Sequence, residues 1–227
     1  MQSGTLRDMS GSKPIKSVTL YCAASPNVDE AYLEVAHAFG AGLARTGRAL
    51  IYGGGAIGLM GAASRGCRDN GGRAVGIITT RLRDAEQLDL NNSENIVVRT
   101  MRERKAMLEA WGDALVVLPG GIGTLEEFFE VFVGRLLGEH DKPLVLVDPP
   151  DPYHPEERGY YDPLLRMLEH MIDSRFMKRQ ALELLHICHS AESAITTLES
   201  IESNGSVDVA TLEDAHPYLP VSTTDGD

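Results

Sequence analysis

Residues 114–137 read ALVVLPGGIGTLEEFFEVFVGRLL, an apolar run, a glycine turn and a patterned helix in immediate succession. A short apolar run that ends at a glycine turn is typical of a strand buried on both faces. The apolar positions that follow recur at helical spacing as far as Leu137. This order of strand, turn and helix is the unit of a parallel α/β sheet, and it places the turn at the edge where such sheets bind ligands.

The same unit recurs along the chain on both sides of this stretch. Strands are predicted at 17–22, 49–52, 74–78, 95–98 and 143–147, and helices at 29–45, 101–111, 161–172 and 191–202, with a small-residue helix ending near residue 70. A polar excursion is expected at 81–93 and a Pro-rich surface loop at 149–159. The sequence therefore predicts a doubly wound, Rossmann-like α/β fold, with a mostly parallel sheet and helices on both faces.

The chain length and charge distribution indicate a single domain with an acidic tail. The 227 residues predict one domain at 15–203, a flexible leader at 1–14 and an acidic, disordered tail at 204–227. The net charge is −12, and nine acidic residues but no Lys or Arg follow Arg179, so without those nine the first 179 residues carry only −3. A nucleic-acid partner is not expected, because tracking phosphates requires a basic stripe.

Cysteine usage and hydropathy both favour a cytoplasmic location. Cys22, Cys67 and Cys188 are odd in number and scattered, as in proteins of a reducing environment. No apolar run approaches the roughly 20 residues that span a bilayer, and the first residues have no signal-peptide core. We expect a cytoplasmic protein with no membrane partner.

The first glycine turn, 53–58, fits the pattern G-x-G-x-x-G. A dinucleotide site would need an acidic residue roughly 20 positions on, where residues 78–81 read ITTR. Two other interpretations remain open. The glycines form a tight turn that lets the next helix pack closely on the sheet, or they line one side of a nucleotide site.

The second glycine turn, 119–124, is a candidate phosphate site. Its glycines uncover backbone N–H groups, and the positive end of the next helix points at the same place. No Gly-Lys-Ser/Thr follows, which excludes a Walker P-loop. Glu127 has two interpretations: it forms a capping box with Thr124, or, being away from the apolar arc of its helix, it overlooks whatever the turn binds.

Arg104 lies in the middle of the apolar arc of the predicted helix 101–111. A guanidinium among buried side chains needs a carboxylate or phosphate partner. Arg104 therefore has two interpretations. It forms a structural salt bridge or snorkels to the surface, or it binds an anion or takes part in catalysis. Lys105 lies at the edge of that arc and can pair with Glu109, while Glu126 and Glu130 are expected to be solvated.

Two further groups are weaker candidates. His186, Cys188 and His189 could suggest a metal, but on a strand His189 would face away from the other two, so no metal site is predicted. Tyr52, Tyr160 and Tyr161 could stack on a base, although tyrosines of this kind are more often packing residues.

Taken together, five motifs resemble one known family. Met101-Arg-Glu-Arg-Lys105 and Pro119-Gly-Gly-Ile-Gly-Thr-Leu-Glu-Glu127 resemble the paired signature of the LOG (lonely guy) family, the cytokinin riboside 5′-monophosphate phosphoribohydrolases that often carry a lysine decarboxylase label. The resemblance extends to Tyr21-Cys-Ala-Ala-Ser25, to Tyr52-Gly-Gly-Gly55 with Gly58-Leu-Met-Gly61, and to Gly159-Tyr-Tyr-Asp162. It covers about residues 18–199.

The resemblance implies cleavage of the N-glycosidic bond of an adenosine 5′-monophosphate, plain or prenylated, to free base and ribose 5-phosphate. It implies that Arg104 and Glu127 are the catalytic pair. Substrate contacts, chiefly to the phosphate, are implied for Lys105 and the turn residues Gly120, Gly121, Gly123 and Thr124, with further contacts at Ser25, Gly54, Gly55 and Met101. Members of this family need no metal or organic cofactor and are homodimers or higher oligomers with sites near the subunit interface.

Three departures from the family pattern limit what can be carried over. Arg102 stands where the family usually has His, segment 79–92 does not match the family's Pro-Arg-Glu region, and loop 149–159 looks inserted. The preferred base is therefore left open. The alternative function is a nucleotide or molybdenum-cofactor carrier of the same fold, which would not need Arg104 and Glu127 together. Lys105 has no surroundings that resemble a pyridoxal-phosphate pocket, so decarboxylation is not predicted.

Overall fold

The computed structural model describes residues 13–85 and 88–207 of the chain. Within them the sheet contains strands β1 (Ser17–Tyr21), β2 (Ala49–Tyr52), β3 (Ala74–Thr79), β4 (Glu94–Val98), β5 (Ala114–Val117), β6 (Leu144–Val147) and β7 (Leu185–Cys188). The helices are α1 (Glu30–Arg45), α2 (Gly58–Asp69), α3 (Thr80–Ala85), α4 (Met101–Trp111), α5 (Ile122–Leu136), α6 (Asp162–Asp173) and α7 (Ala191–Asn204), with a 3-10 helix at Arg179–Leu184.

The strand order is β4-β3-β2-β1-β5-β6-β7, and every pair of neighbouring strands is parallel. The chain builds the sheet outward from β1 to β4, then crosses back to β5 on the other side of β1. The point between β1 and β5 is therefore the switch point, where a doubly wound sheet opens a crevice at the carboxyl ends of its strands. The doubly wound prediction is confirmed, and the sheet is wholly rather than mostly parallel.

Helices cover both faces of the sheet, and each face has its own core. One core joins the sheet to α1, α2 and α7, around side chains such as Leu20, Phe39 and Leu198. The other joins it to α4 and α5, around Tyr21, Leu108 and Phe128. Strands buried on both faces explain the nearly uninterrupted apolar runs of the sequence.

Three elements were absent from the sequence prediction. The predicted polar excursion at 81–93 contains all of α3 except its first residue, and then a loop that packs back onto the sheet, with residues 86–87 outside the described part. The 3-10 helix and β7 lie in a stretch for which no element was predicted. β7 is an edge strand of four residues, partly exposed at His186 and Ile187, which weakens its apolar pattern.

The predicted ends of the domain fall mostly outside the described residues. Of the leader, only residues 13 and 14 are described, and of the acidic tail only 204–207. Arg135 donates hydrogen bonds to the Ser206 hydroxyl at 3.1 Å and to the Val207 carbonyl at 2.8 Å. The first residues of the predicted tail therefore lie against α5.

Candidate active site

The N-terminus of α5 opens towards solvent at the switch point. Gly121 is the N-cap, and no side chain caps the helix. Gly121 and Gly123 are exposed, and a Cβ built on either would meet no atom within 4 Å. The 15-residue helix thus presents its positive end next to accessible backbone N–H groups, an arrangement that suits an anion.

The capping-box interpretation of Glu127 is wrong. α5 begins at Ile122, two residues before the predicted start, so Thr124 is the third helical residue and cannot be the N-cap. The glycine turn is therefore shorter than predicted, because Ile122 and Gly123 already belong to the helix. A true capping box occurs at α4, where Thr100 and Glu103 exchange hydrogen bonds.

Glu127 is buried at the end of β1. Its residue is 8% exposed, although the helical wheel placed it away from the core. Burial raises the pKa of Tyr21 well above its ordinary value, and the nearby Glu127 carboxylate raises it further. Burial and Glu127 raise the pKa of Cys22 in the same way. Glu127 is therefore near Tyr21 and Cys22, at the carboxyl end of β1.

Arg104 crosses from α4 to the same place. It is 3% exposed, its Nε donates to the Ile77 carbonyl at 3.0 Å and its Nη2 to the Gly53 carbonyl at 3.3 Å. Its Nη1 lies 3.9 Å from Glu127 Oε1. Both interpretations thus find support: the guanidinium is anchored on two strand ends and also faces a buried carboxylate.

The close approach of Arg104 to the first glycine turn requires a glycine. A Cβ on Gly53 would overlap Nη2 of Arg104 and come within 3.0 Å of the Met60 methyl carbon. Part of this glycine motif therefore makes room for the arginine.

Lys105 is held by acidic residues of α5. Its Nζ lies 2.5 Å from Glu126 Oε1 and 2.8 Å from Glu130 Oε2, and these hydrogen bonds raise the pKa of Lys105. The suggested pair with Glu109 is not the one formed, and Glu126 and Glu130 are not simply solvated. The predictions failed because a sequence does not show that α4 and α5 lie side by side.

The first glycine turn is covered by the loop that follows α3. Gly53, Gly54 and Gly55 are buried, the Gly54 carbonyl accepts from the Asp89 N–H at 2.9 Å, and Gly55 forms a bridge with Leu88. A loop predicted only as a polar excursion thus closes over this turn.

Asp89 fastens that loop to α2. It is 4% exposed and accepts hydrogen bonds from the Ser64 hydroxyl at 2.8 Å and from Arg68. Burial alone would raise the pKa of Asp89, but the bonds from Arg68 and Ser64 lower it below its ordinary value. The sequence analysis missed this cluster, because Ser64 and Arg68 lie far from Asp89 along the chain and no local pattern links them.

The N-terminus of α2 is already occupied. The N–H groups of Leu59 and Met60 both donate to the Ala23 carbonyl, at 3.0 and 3.3 Å. Gly58 has φ +60°, and a Cβ there would come within 2.6 Å of the carbonyl oxygen of Ser25. This geometry supports the tight-turn interpretation of the first motif. Ser25 itself is exposed beyond β1, where its hydroxyl accepts from the Asn27 N–H.

The three tyrosines donate their hydroxyls within the protein. Tyr52 bonds Asn92 at 3.0 Å, Tyr160 bonds the Gly120 carbonyl and Tyr161 the Leu118 carbonyl, each at 2.8 Å. They are packing residues, and two of them support the second glycine turn.

A cavity of about 430 Å³ opens beside Met101, lined by Thr79, Arg81, Leu82, Arg99 and Met101. It lies at the carboxyl ends of β3 and β4, and Met101 Sδ is 3.9 Å from Arg104 Nη1. The sequence analysis did not identify Arg81 or Arg99.

The described residues contain neither a metal-binding cluster nor a membrane-spanning helix. No cluster of three or more His, Cys, Asp or Glu side chains there could hold a metal ion. His189 instead contacts the Asp148 carbonyl at 3.1 Å. Nor does that part of the chain contain a helix of the length and apolarity needed to cross a membrane.

The chain is similar to characterised proteins over most of its length. The family model described as "Possible lysine decarboxylase" matches residues 60–198. A cytokinin riboside 5′-monophosphate phosphoribohydrolase of Mycobacterium tuberculosis is 40% identical over 79% of this chain and 91% of its own. Proteins with the same name from Rhodococcoides fascians and Arabidopsis thaliana are 38% and 36% identical, over 82% and 83% of this chain and 90% and 78% of theirs.

Solved structures share the fold at lower identity. The molybdenum cofactor carrier protein of Chlamydomonas reinhardtii matches with a TM-score of 0.60 and 19% identity, over 82% of this chain and 98% of its own. The molybdenum cofactor binding protein of Rippkaea orientalis matches with a TM-score of 0.60 and 22% identity, over 83% and 97%. At this identity the likeness shows the fold alone.

The family model covers more than half of the chain, and the matched residues 60–198 include both Arg104 and Glu127. The chain therefore belongs to the LOG family of phosphoribohydrolases.

Proposed function

We propose that the chain hydrolyses the N-glycosidic bond of adenosine 5′-monophosphates, plain or N-prenylated, to free base and ribose 5-phosphate. The bond between C1′ of the ribose and N9 of the base breaks, the water oxygen bonds to C1′, and a water proton ends on the base. The observation that carries the proposal is the buried pair of Arg104 and Glu127, 3.9 Å apart, beside the open N-terminus of α5.

The phosphate is assigned to the second glycine turn. Gly120, Gly121, Gly123 and Thr124 place backbone N–H groups and a positive helix end together. Lys105 contributes by neutralising the negative charges of Glu126 and Glu130, which would otherwise repel an anion at this site.

The base is assigned to the other end of the crevice. From β5 through β1 and β2 to β3 there are three strand spacings, or about 14 Å, a span suited to an extended nucleoside monophosphate. The phosphate at the end of β5 then places the ribose over β1 and β2, near Ser25, Gly54 and Gly55. The base reaches the cavity beside Met101, between Arg81 and Arg99.

Glu127 is assigned the chemical role. Loss of the base leaves an oxocarbenium-like sugar, which a nearby carboxylate stabilises while it orients the attacking water. Because the Glu127 side chain is only 10% exposed, water screens its charge weakly. Arg104 holds that carboxylate in place from its anchors on Ile77 and Gly53.

The remaining parts of the proposal concern the setting of the reaction. Water is the only co-reactant, and no metal or organic cofactor takes part. We place the protein in the cytoplasm as a homodimer or higher oligomer, without a nucleic-acid or membrane partner. Ile122, 87% accessible, belongs to the phosphate turn itself, so an interface between copies that covered this side chain would lie next to the site.

The decisive experiment measures release of free base from AMP and from a prenylated AMP, in parallel, by chromatography. Glu127→Gln and Arg104→Ala are each expected to lower turnover by about 10²-fold or more, with nucleotide affinity of Glu127→Gln within several-fold of wild type. Glu139→Gln, an exposed acid just beyond α5, is the matched control and should leave turnover unchanged.

Two outcomes would contradict this proposal. Wild-type turnover in Glu127→Gln would remove that carboxylate from the mechanism. No release from either nucleotide, with tight binding retained, would favour the carrier function instead.

A further inference from the structure

Three consecutive carbonyls, those of Leu118 and of the first two residues of the second glycine turn, accept hydrogen bonds from elsewhere in the fold. The Leu118 carbonyl accepts from the Tyr161 hydroxyl at 2.8 Å, and the Gly120 carbonyl accepts from the Tyr160 hydroxyl at 2.8 Å. Between them, the Pro119 carbonyl accepts from the Ala23 N–H at 3.1 Å. The negative ends of three peptide groups are thus turned into the protein.

The direction of these carbonyls fixes the direction of the N–H groups that follow. In a trans peptide the C=O and the next N–H point in opposite directions. The bond from Tyr160 to the Gly120 carbonyl therefore aims the Gly121 N–H the other way, and the bond from Ala23 does the same for the Gly120 N–H. Both N–H groups belong to the proposed phosphate site.

Without such bonds this peptide would turn easily. The peptide between Gly120 and Gly121 has a glycine on each side, so no Cβ opposes its rotation. A rotated peptide would present a carbonyl oxygen to the anion and withdraw a donor. A hydrogen bond to the Gly120 carbonyl is what selects the donor-outward orientation.

The tyrosines are themselves fixed from the Pro-rich loop. The Tyr161 N–H donates to Oδ1 of fully buried Asp148 at 2.5 Å, and the Tyr160 N–H donates to the Pro149 carbonyl at 3.0 Å. The two rings meet edge to face with centroids 4.9 Å apart, and the Tyr160 ring meets Tyr32 at 5.5 Å. Contacts within the protein therefore fix the positions of both hydroxyls, independently of any ligand.

The geometry points to Tyr160 and Tyr161 as positioning residues that orient the phosphate turn, with Tyr160 acting directly on the donor of Gly121. Neither hydroxyl contacts the substrate in this role. The inference rests on the proposed function only in its assignment of a phosphate to this turn.

The test compares ligands with and without a phosphate. Isothermal titration calorimetry of the full chain would use inorganic phosphate, ribose 5-phosphate and adenine as separate probes, on wild type, Tyr160→Phe and Tyr161→Phe. Removing one hydrogen bond to the turn is expected to weaken phosphate and ribose 5-phosphate binding about fivefold and to leave adenine binding unchanged. Tyr153→Phe, an exposed tyrosine in the same loop, is the matched control with no expected effect.

Several results would overturn the inference. Phosphate affinity in Tyr160→Phe within twofold of wild type would do so, as would an equal loss for adenine, which indicates a general structural role. Wild-type protein that binds neither phosphate nor ribose 5-phosphate would also refute it. If buried Tyr161→Phe fails to fold, half-buried Tyr160→Phe still decides the question. Wild-type protein that binds ribose 5-phosphate but releases no base would instead refute the hydrolase and leave this inference standing.

Discussion

Replacing Gly53 with alanine tests whether the position of Arg104 matters for activity. Gly53 lies outside the left-handed region, so its backbone accepts an alanine without strain. The new Cβ, however, would overlap Nη2 of Arg104, and nonbonded heavy atoms need about 3.5 Å. The guanidinium must therefore move by about 1 Å or more, because the Cβ itself is fixed to the turn.

The magnitude follows from the contacts that this movement affects. Arg104 loses its 3.3 Å hydrogen bond to the Gly53 carbonyl, and a hydrogen bond to a charged group contributes about 1.5–3 kcal/mol to the free energy of unfolding. Its position relative to Glu127 changes as well. Misplacement of a catalytic group by about 1 Å can lower the rate roughly 10²-fold, so we expect Gly53→Ala to fold with reduced stability and to lose about 10²-fold in kcat/KM.

The measurement combines base release from AMP with urea unfolding. Gly134→Ala is the matched control, because a Cβ built there would make only an ordinary contact, 3.4 Å from the His140 ring. Activity of that variant should equal wild type. A Gly53→Ala protein with kcat/KM within threefold of wild type would show that Arg104 can move without consequence, and the assigned role of its anchors would be refuted.

Two further predictions concern stability. Asp89→Asn should lower the free energy of unfolding by about 2–3 kcal/mol at neutral pH, because it removes the charge that Arg68 and Ser64 bind. Since the pKa of Asp89 is lowered in the folded protein, its contribution is present above the ordinary value of 3.8 and is lost as the pH falls further; urea unfolding at pH 7 and pH 3 should show the difference from wild type shrinking, and an unchanged difference would contradict the assignment. Ser190→Ala removes the cap of α7 and should cost about 1 kcal/mol, seen as a lower thermal midpoint, whereas Ser203→Ala at the other end of the helix should not.

The sequence was most informative where a single element contains its own signal. Arg104 was identified because it interrupts the apolar arc of one helix, and its 3% exposure agrees with that pattern. The parallel sheet was predicted because its strands are apolar on both faces. Each of these conclusions depends on residues within one helix or one strand.

What failed depended on contacts between separate elements. The approach of Glu127 to Arg104 joins α5 to α4, and the pairing of Lys105 with Glu126 joins the same two helices. Asp89 binds Ser64 and Arg68, which precede it by 25 and 21 residues. No periodicity in the chain records such distances, so these contacts were visible only in the folded protein.

The N-termini of α2 and α5 differ in how many of their backbone N–H groups already have a partner, and under the proposed function this difference bears on how many phosphates the site would take. In α2, the Ala23 carbonyl already takes two of the first N–H groups, so a second phosphate would have to displace a bond that fastens β1 to the helix. In α5, no side chain competes for the helix end. Under the proposed function, a dinucleotide, whose pyrophosphate normally rests on the helix that follows a first glycine turn, would be disfavoured because backbone hydrogen bonds already occupy that helix end.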